Sequence, residues 1–265
     1  MIPKIEFVTQ PKILSVEVST LTPIYDIGKI SRFAHGITED QYRKDGMNIL
    51  CNDVFSVAEN ISIDIEVFIS ERLARQINRH RHMAIVQKST RYNDYKDQPM
   101  ISFYVPEENE QYRKTLEAFV SHFHEVSKMD TQLVNYLLPL CTMTKVHYHM
   151  NLRTLIHMCS VRLCAQALPE FRDFLNLLKE QLEDLSMEWR VLNQLFLVPH
   201  CLQTQKQFRI HNCKYPLSEC KYQYNYGNYY EYFLNHSESL RKKYSPEEFS
   251  YYLQYINWFK MECNK

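Results

Sequence analysis

QINRHRHMAIVQKSTRY, residues 76–92, crowds Arg79, His80, Arg81, His82 and Arg91 together with the hydroxyls of Ser89 and Thr90. Just upstream, Ile61, Ile63, Ile65 and Val67 alternate with polar residues, the period of a half-buried strand. Helical spacing then takes over at Ile69, Leu73 and Ile77. The basic tripeptide 79–81 is therefore expected to close a helix and open a polar loop, held at the end of a strand–helix unit rather than on a free tail. Such a cluster beside Ser89 and Arg91 suits an anion, and a guanidinium fork suits a phosphate better than an ammonium does. The same letters also suit a solvated basic helix end, which the helix dipole favours.

Composition narrows the classes. A chain of 265 residues with 45% hydrophobic and 23% charged residues can bury a substantial core, as one large domain or two small ones. Its net charge is zero, so there is no global electrostatic case for nucleic acid or membrane as a partner. No apolar run reaches the roughly 20 residues that cross a bilayer, and MIPKIEFVTQ lacks a signal-like core, so the expected setting is cytoplasmic. The 8 cysteines are scattered without a C-x-x-C pair and read as reduced or buried thiols. With only 4 glycines a glycine-rich phosphate loop is nearly excluded, and any nucleotide must be held by side chains and helix ends.

In chain order, residues 3–20 suggest one or two strands at a sheet edge, broken at Thr22-Pro23. Gly36 and Gly46 read as turn positions, and residues 47–60 as helical. Residues 101–105 have strand composition ahead of Pro106, and Glu107, Glu108 and Glu110 open a helix whose apolar face includes Leu116, Phe119 and Val120. Asp130 is a candidate cap for a helix over 133–138. Val146, Tyr148 and Met150 alternate with Lys145, His147 and His149, a short strand with both histidines on one face. They could chelate a metal in principle, but no acid or cysteine nearby in sequence completes the set, and no metal centre is expected. His122 and His124, two apart on a helix, point to different faces and share none. Asn151 is placed to start the next helix. On it Arg153 and Arg162, nine positions apart, fall on roughly opposite sides at about 100° per residue. Helical patterning resumes from Phe171 to about Val198. Beyond it, His200, Cys201, His211, Cys213 and Cys220 fit no familiar zinc spacing, and Tyr222, Tyr224, Tyr226, Tyr229, Tyr230 and Tyr232 form an aromatic run suited to an interface or core. Ser245-Pro246-Glu247-Glu248 reads as a helix start, with an amphipathic stretch from Phe249 to Phe259 that can dock on the body. This gives a domain over 1–199 and a Tyr-rich, helical C-terminal extension over 200–265.

Three motifs in register carry a resemblance. Arg79-His80-Arg81, seven residues and Ser89, extended through Gln76 and Arg91-Tyr92, resembles the signature of flavin-dependent thymidylate synthases. Leu138-Pro139-Leu140, Asn151-Leu152-Arg153 with Leu155, Arg162, and Glu170 with Arg172 follow that family's second block, and Phe103-Tyr104-Val105-Pro106 resembles the segment between. The likeness covers roughly residues 54–172. It implies an α+β fold, a central mixed or antiparallel sheet flanked by long helices, and a homotetramer whose sites are shared between subunits. It implies FAD as cofactor, and methylation of dUMP to dTMP with methylenetetrahydrofolate and NADPH as cosubstrates. By position, Ser56, Arg79, His80, Arg81, Asn151, Arg153 and His157 would contact the flavin cofactor. Gln76, Arg79, Gln87, Ser89 and Arg91 would hold the pyrimidine nucleotide, and Arg162 would be the catalytic arginine on its ring. A cysteine nucleophile is not needed.

This chain departs from the family pattern at several points. Ala84, Val86 and Gln87 replace the usual Ser, Asn and Glu; Val54 replaces a histidine; Val57-Ala58-Glu59-Asn60 replaces a PFEH-like run; and Asn135 replaces a phosphate-binding arginine. Losing one such charge-assisted contact costs about 1.5–3 kcal/mol, roughly ten- to a hundredfold in binding. Three readings follow: thymidylate formation, one-carbon transfer to another pyrimidine nucleotide, or a catalytically silent relative that binds FAD or nucleotide.

Overall fold

The computed structural model describes residues 4–32, 38–89, 100–106, 109–126, 136–200 and 245–263. Gly36, Arg91, Asp130, Asn135, the Tyr222–Tyr232 run and Cys201, His211, Cys213 and Cys220 lie outside them. The chain divides into two compact units: Met1–Val16 with Asp64–His149, and Glu17–Ile63 with Met150–Lys265.

In the first unit, β1 (Lys4–Val8) pairs in parallel with β5 (Met100–Tyr104), Lys4 opposite Met100 and Val8 opposite Tyr104. A four-stranded sheet has the order β2 (Lys12–Val18), β3 (Ser62–Ser70), β6 (Met143–Asn151), β4 (Met83–Gln87). Glu71 N–H donates to Thr142 O (2.9 Å) and Leu152 N–H to Ile61 O (2.8 Å), so β3 and β6 run antiparallel. Lys88 N–H to Lys145 O (2.9 Å) and Ser19 N–H to Ser62 O (3.0 Å) set β4 and β2 antiparallel to their neighbours in the same way. The expected alternation holds: Ile63, Ile65, Val67 and Ile69 are buried with Val146, Tyr148 and Met150, while Asp64, Glu66, Lys145, His147 and His149 face outward. Helix α4 (Glu110–Val126) buries Leu116 and Val120 against Ile101, Phe103 and Val105.

Up to residue 87, three expectations need correcting. MAIVQ, read as part of a polar loop, is strand β4, because Lys88 and its neighbours find a backbone ladder on β6. Gly46 is no turn but a buried position inside α2 (Glu39–Cys51). There a Cβ would strike the Ile24 carbonyl of α1 (Pro23–Ser31), and one on Gly28 would strike the Tyr42 carbonyl. Both glycines serve a close helix crossing, in which backbones touch because no side chain intervenes. The helix expected over 47–60 ends at Cys51, and only a 3₁₀ turn, Val57–Asn60, follows.

The rest of the second unit is helical: α5 (Leu152–Arg162), α6 (Pro169–Leu185), α7 (Met187–Leu195) and α8 (Pro246–Cys263). The pattern read as one helix from Phe171 onward breaks at Ser186. Its extended backbone stops α6, and its hydroxyl accepts from Trp189 N–H (3.2 Å) to start α7. Helix α8 begins at the anticipated start, and there Ser245 and Glu248 form a capping box, Glu248 N–H to Ser245 Oγ (3.3 Å) and Ser245 N–H to Glu248 Oε2 (2.9 Å). Its Tyr252, Tyr255 and Ile256 are buried, and it packs on α2 and α7.

Glu188 joins these helices. It is only 4% exposed. Its Oε2 accepts from the N–H groups of Ile24 (2.7 Å) and Tyr25 (3.0 Å), two donors that the first turn of α1 leaves without helical partners. Its Oε1 accepts from Tyr255 OH (2.7 Å) on α8 and Arg43 Nε (3.2 Å) on α2. The Arg43 guanidinium lies 5.4 Å from each of the Tyr25 and Tyr251 ring centres. Burial pushes the Glu188 carboxyl above its ordinary value, and these donors oppose the shift. Glu188→Ala removes the acceptor of three donors, the Ile24 and Tyr25 N–H groups and the Tyr255 hydroxyl, and one partner of half-buried Arg43, which keeps Glu39 and Asp40; it should lower stability by about 2–4 kcal/mol in chemical denaturation. Glu188→Gln, which keeps one acceptor oxygen, should lose less. Coincident midpoints for wild type and Glu188→Ala would contradict this role.

Candidate functional site

The sequence-predicted residues fall into two groups, one in each unit. In the first unit, Ser70 caps α3 (Glu71–Ile77) by accepting from Leu73 N–H (3.0 Å), which ends β3 and starts the helix within one residue. The helix closes at Asn78, and Arg79 N–H and His80 N–H bond back to Gln76 O (3.4 Å) and Ile77 O (2.9 Å). His82 then takes a left-handed backbone, φ 63°, which redirects the chain into β4. The basic tripeptide thus sits on a hydrogen-bonded turn at a helix C-terminus, where the dipole favours cations. Arg79 and Arg81 are exposed, and among the described residues neither makes an ion pair. Gln76 and Gln87 are half-buried, and Ser89 is exposed.

Gln87 has a partner that the sequence did not suggest. Its Nε2 donates to both Oε1 and Oε2 of Glu71, each at 3.0 Å. Tyr148, whose hydroxyl bonds Asn78 Oδ1 at 3.1 Å, lies close enough that its phenol is pushed upward by burial and by the Glu71 charge. A glutamate at 87 would face that carboxylate, so the departure at 87 is locally consistent. Of the other departures, Val54 and Val86 are exposed, at 47% and 69%, and Ala84 is exposed too.

In the second unit, Asn151 caps α5 by accepting from Thr154 N–H (2.9 Å), as its position suggested. Arg153 and His157 follow one turn apart on the exposed face of α5, and Arg153 is ion-paired with Glu59 of the 3₁₀ turn beside exposed Ser56. Arg162 ends the helix half-buried, its guanidinium 5.3 Å from the Phe171 ring centre, away from Arg153 as the helical angle required. Arg172 is held by the backbone, its Nη1 donating to Ala165 O (2.6 Å) and Ala167 O (2.7 Å), which closes the turn ahead of α6. Cys159 is fully buried and its thiol is pushed up to about 12 by desolvation, which suits packing rather than nucleophilic chemistry.

A third cluster was half seen. His147 and His149 do share a face, and Asp64 of β3 supplies the acid that sequence proximity lacked. Its Oδ1 lies 3.3 Å from His147 Nε2 and 2.9 Å from His149 Nδ1. Among the described residues no three histidine, cysteine or acidic side chains are arranged to hold a metal ion. Nor is any described helix long and apolar enough to cross a membrane.

Against known proteins, the family model described as thymidylate synthase complementing protein matches residues 27–186, which include both groups. The chain belongs to this family. It is thereby a flavin-dependent thymidylate synthase-like methyltransferase by descent. Solved structures share the fold: the UMP/dUMP methylase PolB from Streptomyces cacaoi bound with 5-Br UMP has a TM-score of 0.58 and 17% identity, over 74% of this chain and 99% of that one. The same enzyme bound with 5-Br dUMP gives 0.59 and 17%, over 73% and 99%. Thymidylate synthase X from Helicobacter pylori with FAD and dUMP gives 0.51 and 19%, over 67% and 95%. No curated protein matches the chain by sequence.

Gln87→Glu would set two carboxylates about 3 Å apart, and at neutral pH should cost about 1–2 kcal/mol of stability. Exchanging the pair, Glu71→Gln with Gln87→Glu, restores one acid and one amide and should recover most of the loss in thermal melts. A Gln87→Glu variant as stable as wild type would show that the contact contributes nothing.

Proposed function

We propose that the chain transfers a one-carbon unit to carbon 5 of a pyrimidine nucleotide, with FAD as cofactor, methylenetetrahydrofolate as carbon source and NADPH as reductant. Conversion of dUMP to dTMP is the leading reaction. The observation that carries this is the family match, which runs without interruption through both basic groups. The donor chemistry fits FAD. Arg79 and Arg81 offer exposed guanidiniums with no internal anion among the described residues, as a diphosphate needs. Asn151 commits its amide oxygen to the first turn of α5 while its NH₂ can still donate. When bound, FAD supplies the redox and carbon-transfer chemistry.

The chain's own residues bind and orient. Glu59 restrains Arg153, so that guanidinium meets a ligand in a limited set of directions. Gln76, Gln87, Ser89 and Arg91 complete the proposed nucleotide contacts, with Ser56, His80 and His157 on the cofactor. Arg162, restrained against Phe171, is assigned the pyrimidine ring. A fixed cation beside a ring carbonyl and N3 stabilises the anionic form of the ring and enriches electron density at carbon 5. Residues 1–199 carry this chemistry, residues 200–265 are an extension anchored through α8, and the proposed assembly is a homotetramer with shared sites.

UMP is a second substrate candidate, since the PolB structures that share this fold are of a UMP/dUMP methylase. The reading is tested with purified protein, FAD, NADPH, methylenetetrahydrofolate and either nucleotide, followed by mass-spectrometric identification of the product. Near-equimolar bound flavin and a 5-methylated nucleotide are expected. Arg162→Ala should abolish turnover while leaving flavin absorbance intact; unchanged turnover would remove Arg162 from the chemistry. Protein that neither takes up FAD nor methylates either nucleotide would leave the silent relative as the better reading.

A further inference from the structure

The Glu71–Gln87 pair points to a ligand contact beyond the residues assigned so far. Glu71 opens α3 and is half-buried, with both carboxylate oxygens held at 3.0 Å by one neutral amide hydrogen-bond donor group, Gln87 Nε2. A neutral tether fixes the carboxylate without cancelling its charge. Each oxygen, having accepted one bond, keeps lone-pair capacity for another. No salt bridge neutralises it among the described residues, although Arg75 stands one turn along the helix.

Its setting restricts what it could accept from. Arg79 lies eight positions along the chain, past the end of α3 at Ile77 and about 12 Å away on a continued helical rise, so the two side chains leave the backbone well apart. Ser89 lies two residues past Gln87. A carboxylate repels a phosphate and the carbonyl edges of a uracil, and takes only donors. In a pyrimidine nucleotide those are the sugar hydroxyls and the ring N3–H. Two acceptor oxygens held in one plane match the vicinal hydroxyls of a ribose better than a single N–H.

We propose that Glu71, positioned by Gln87, accepts hydrogen bonds from the sugar hydroxyls of the nucleotide and so favours a ribonucleotide over its 2′-deoxy counterpart. This rests on the pyrimidine-nucleotide reading above and, within it, takes UMP, the second substrate candidate, over dUMP. The carboxylate acts on specificity, and Gln87, which the family likeness also assigns to the nucleotide, holds that carboxylate in position. A site that has a charged acceptor for a hydroxyl discriminates strongly against an analogue lacking it.

The test is titration calorimetry of the FAD-supplemented protein with UMP and with dUMP, for wild type, Glu71→Gln and Gln87→Ala. Wild type should bind UMP at least as tightly as dUMP. Glu71→Gln should weaken UMP at least tenfold and dUMP less than threefold, with melting temperature little changed, because an amide at 71 can still bond Gln87. Gln87→Ala, which frees the carboxylate without removing it, should weaken UMP in the same direction by a smaller factor. If the ratio of UMP to dUMP affinity is the same in wild type and both variants, the inference is overturned; a contact with N3–H would give that result, since both nucleotides carry it. Wild type that binds dUMP and not UMP overturns the inference and leaves the proposed function standing. Wild type that binds neither overturns the proposed function, and the inference with it.

Discussion

One buried carboxylate sets the arrangement of the helical unit. Glu188 on α7 takes the two orphan N–H groups of α1, the guanidinium of α2 and a tyrosine hydroxyl of α8, so four helices meet on two oxygen atoms. Burying a carboxylate is costly unless every lone pair is met, and here the donors come from elements far apart in sequence. The fixed geometry of a helix N-terminus gives two of them at no further conformational cost. The tyrosines that flank Arg43 shield the cation, and Trp258 packs edge-on against the ring of Tyr255.

The basic signature is held by a different device. A serine cap starts α3 within one residue of β3, seven residues later the helix ends, and a left-handed histidine turns the chain into β4. Because β4 is laddered to β6, the turn carrying Arg79 and Arg81 has regular structure on both sides. Two exposed guanidiniums are thereby presented from a short, constrained segment, which lowers the entropy lost when an anion is gripped.

What the sequence made legible follows from the range of each interaction. The alternation in β3 and β6, the Asn151 cap, the helix start at Ser245 and the facing histidines all depend on neighbours within a few residues, and all appear as read. Of the family motifs, the basic tripeptide falls on the turn that closes α3, the aromatic segment ends β5, and Asn151 with Arg153 opens α5. The misreadings share one cause. β4 looked like loop because its polar flanks conceal a ladder formed with residues some sixty positions away, and Gly46 looked like a turn because only the approach of α1 explains the missing side chain. Asp64 beside the histidines, Glu71 beneath Gln87, and Glu188 under α1 were invisible for the same reason: each pairs across elements, with no periodic signature.

The α1–α2 crossing has a bearing on how such a sequence can drift. Two of the four glycines in the chain stand where even one methyl group meets a carbonyl, so positions 28 and 46 have almost no tolerated alternatives although neither comes near the proposed chemistry. In a lineage this diverged, that pair offers a fingerprint of shared ancestry independent of catalysis: relatives whose motif residues have been replaced outright should still betray their kinship by two small residues, eighteen apart, ahead of the first long strand.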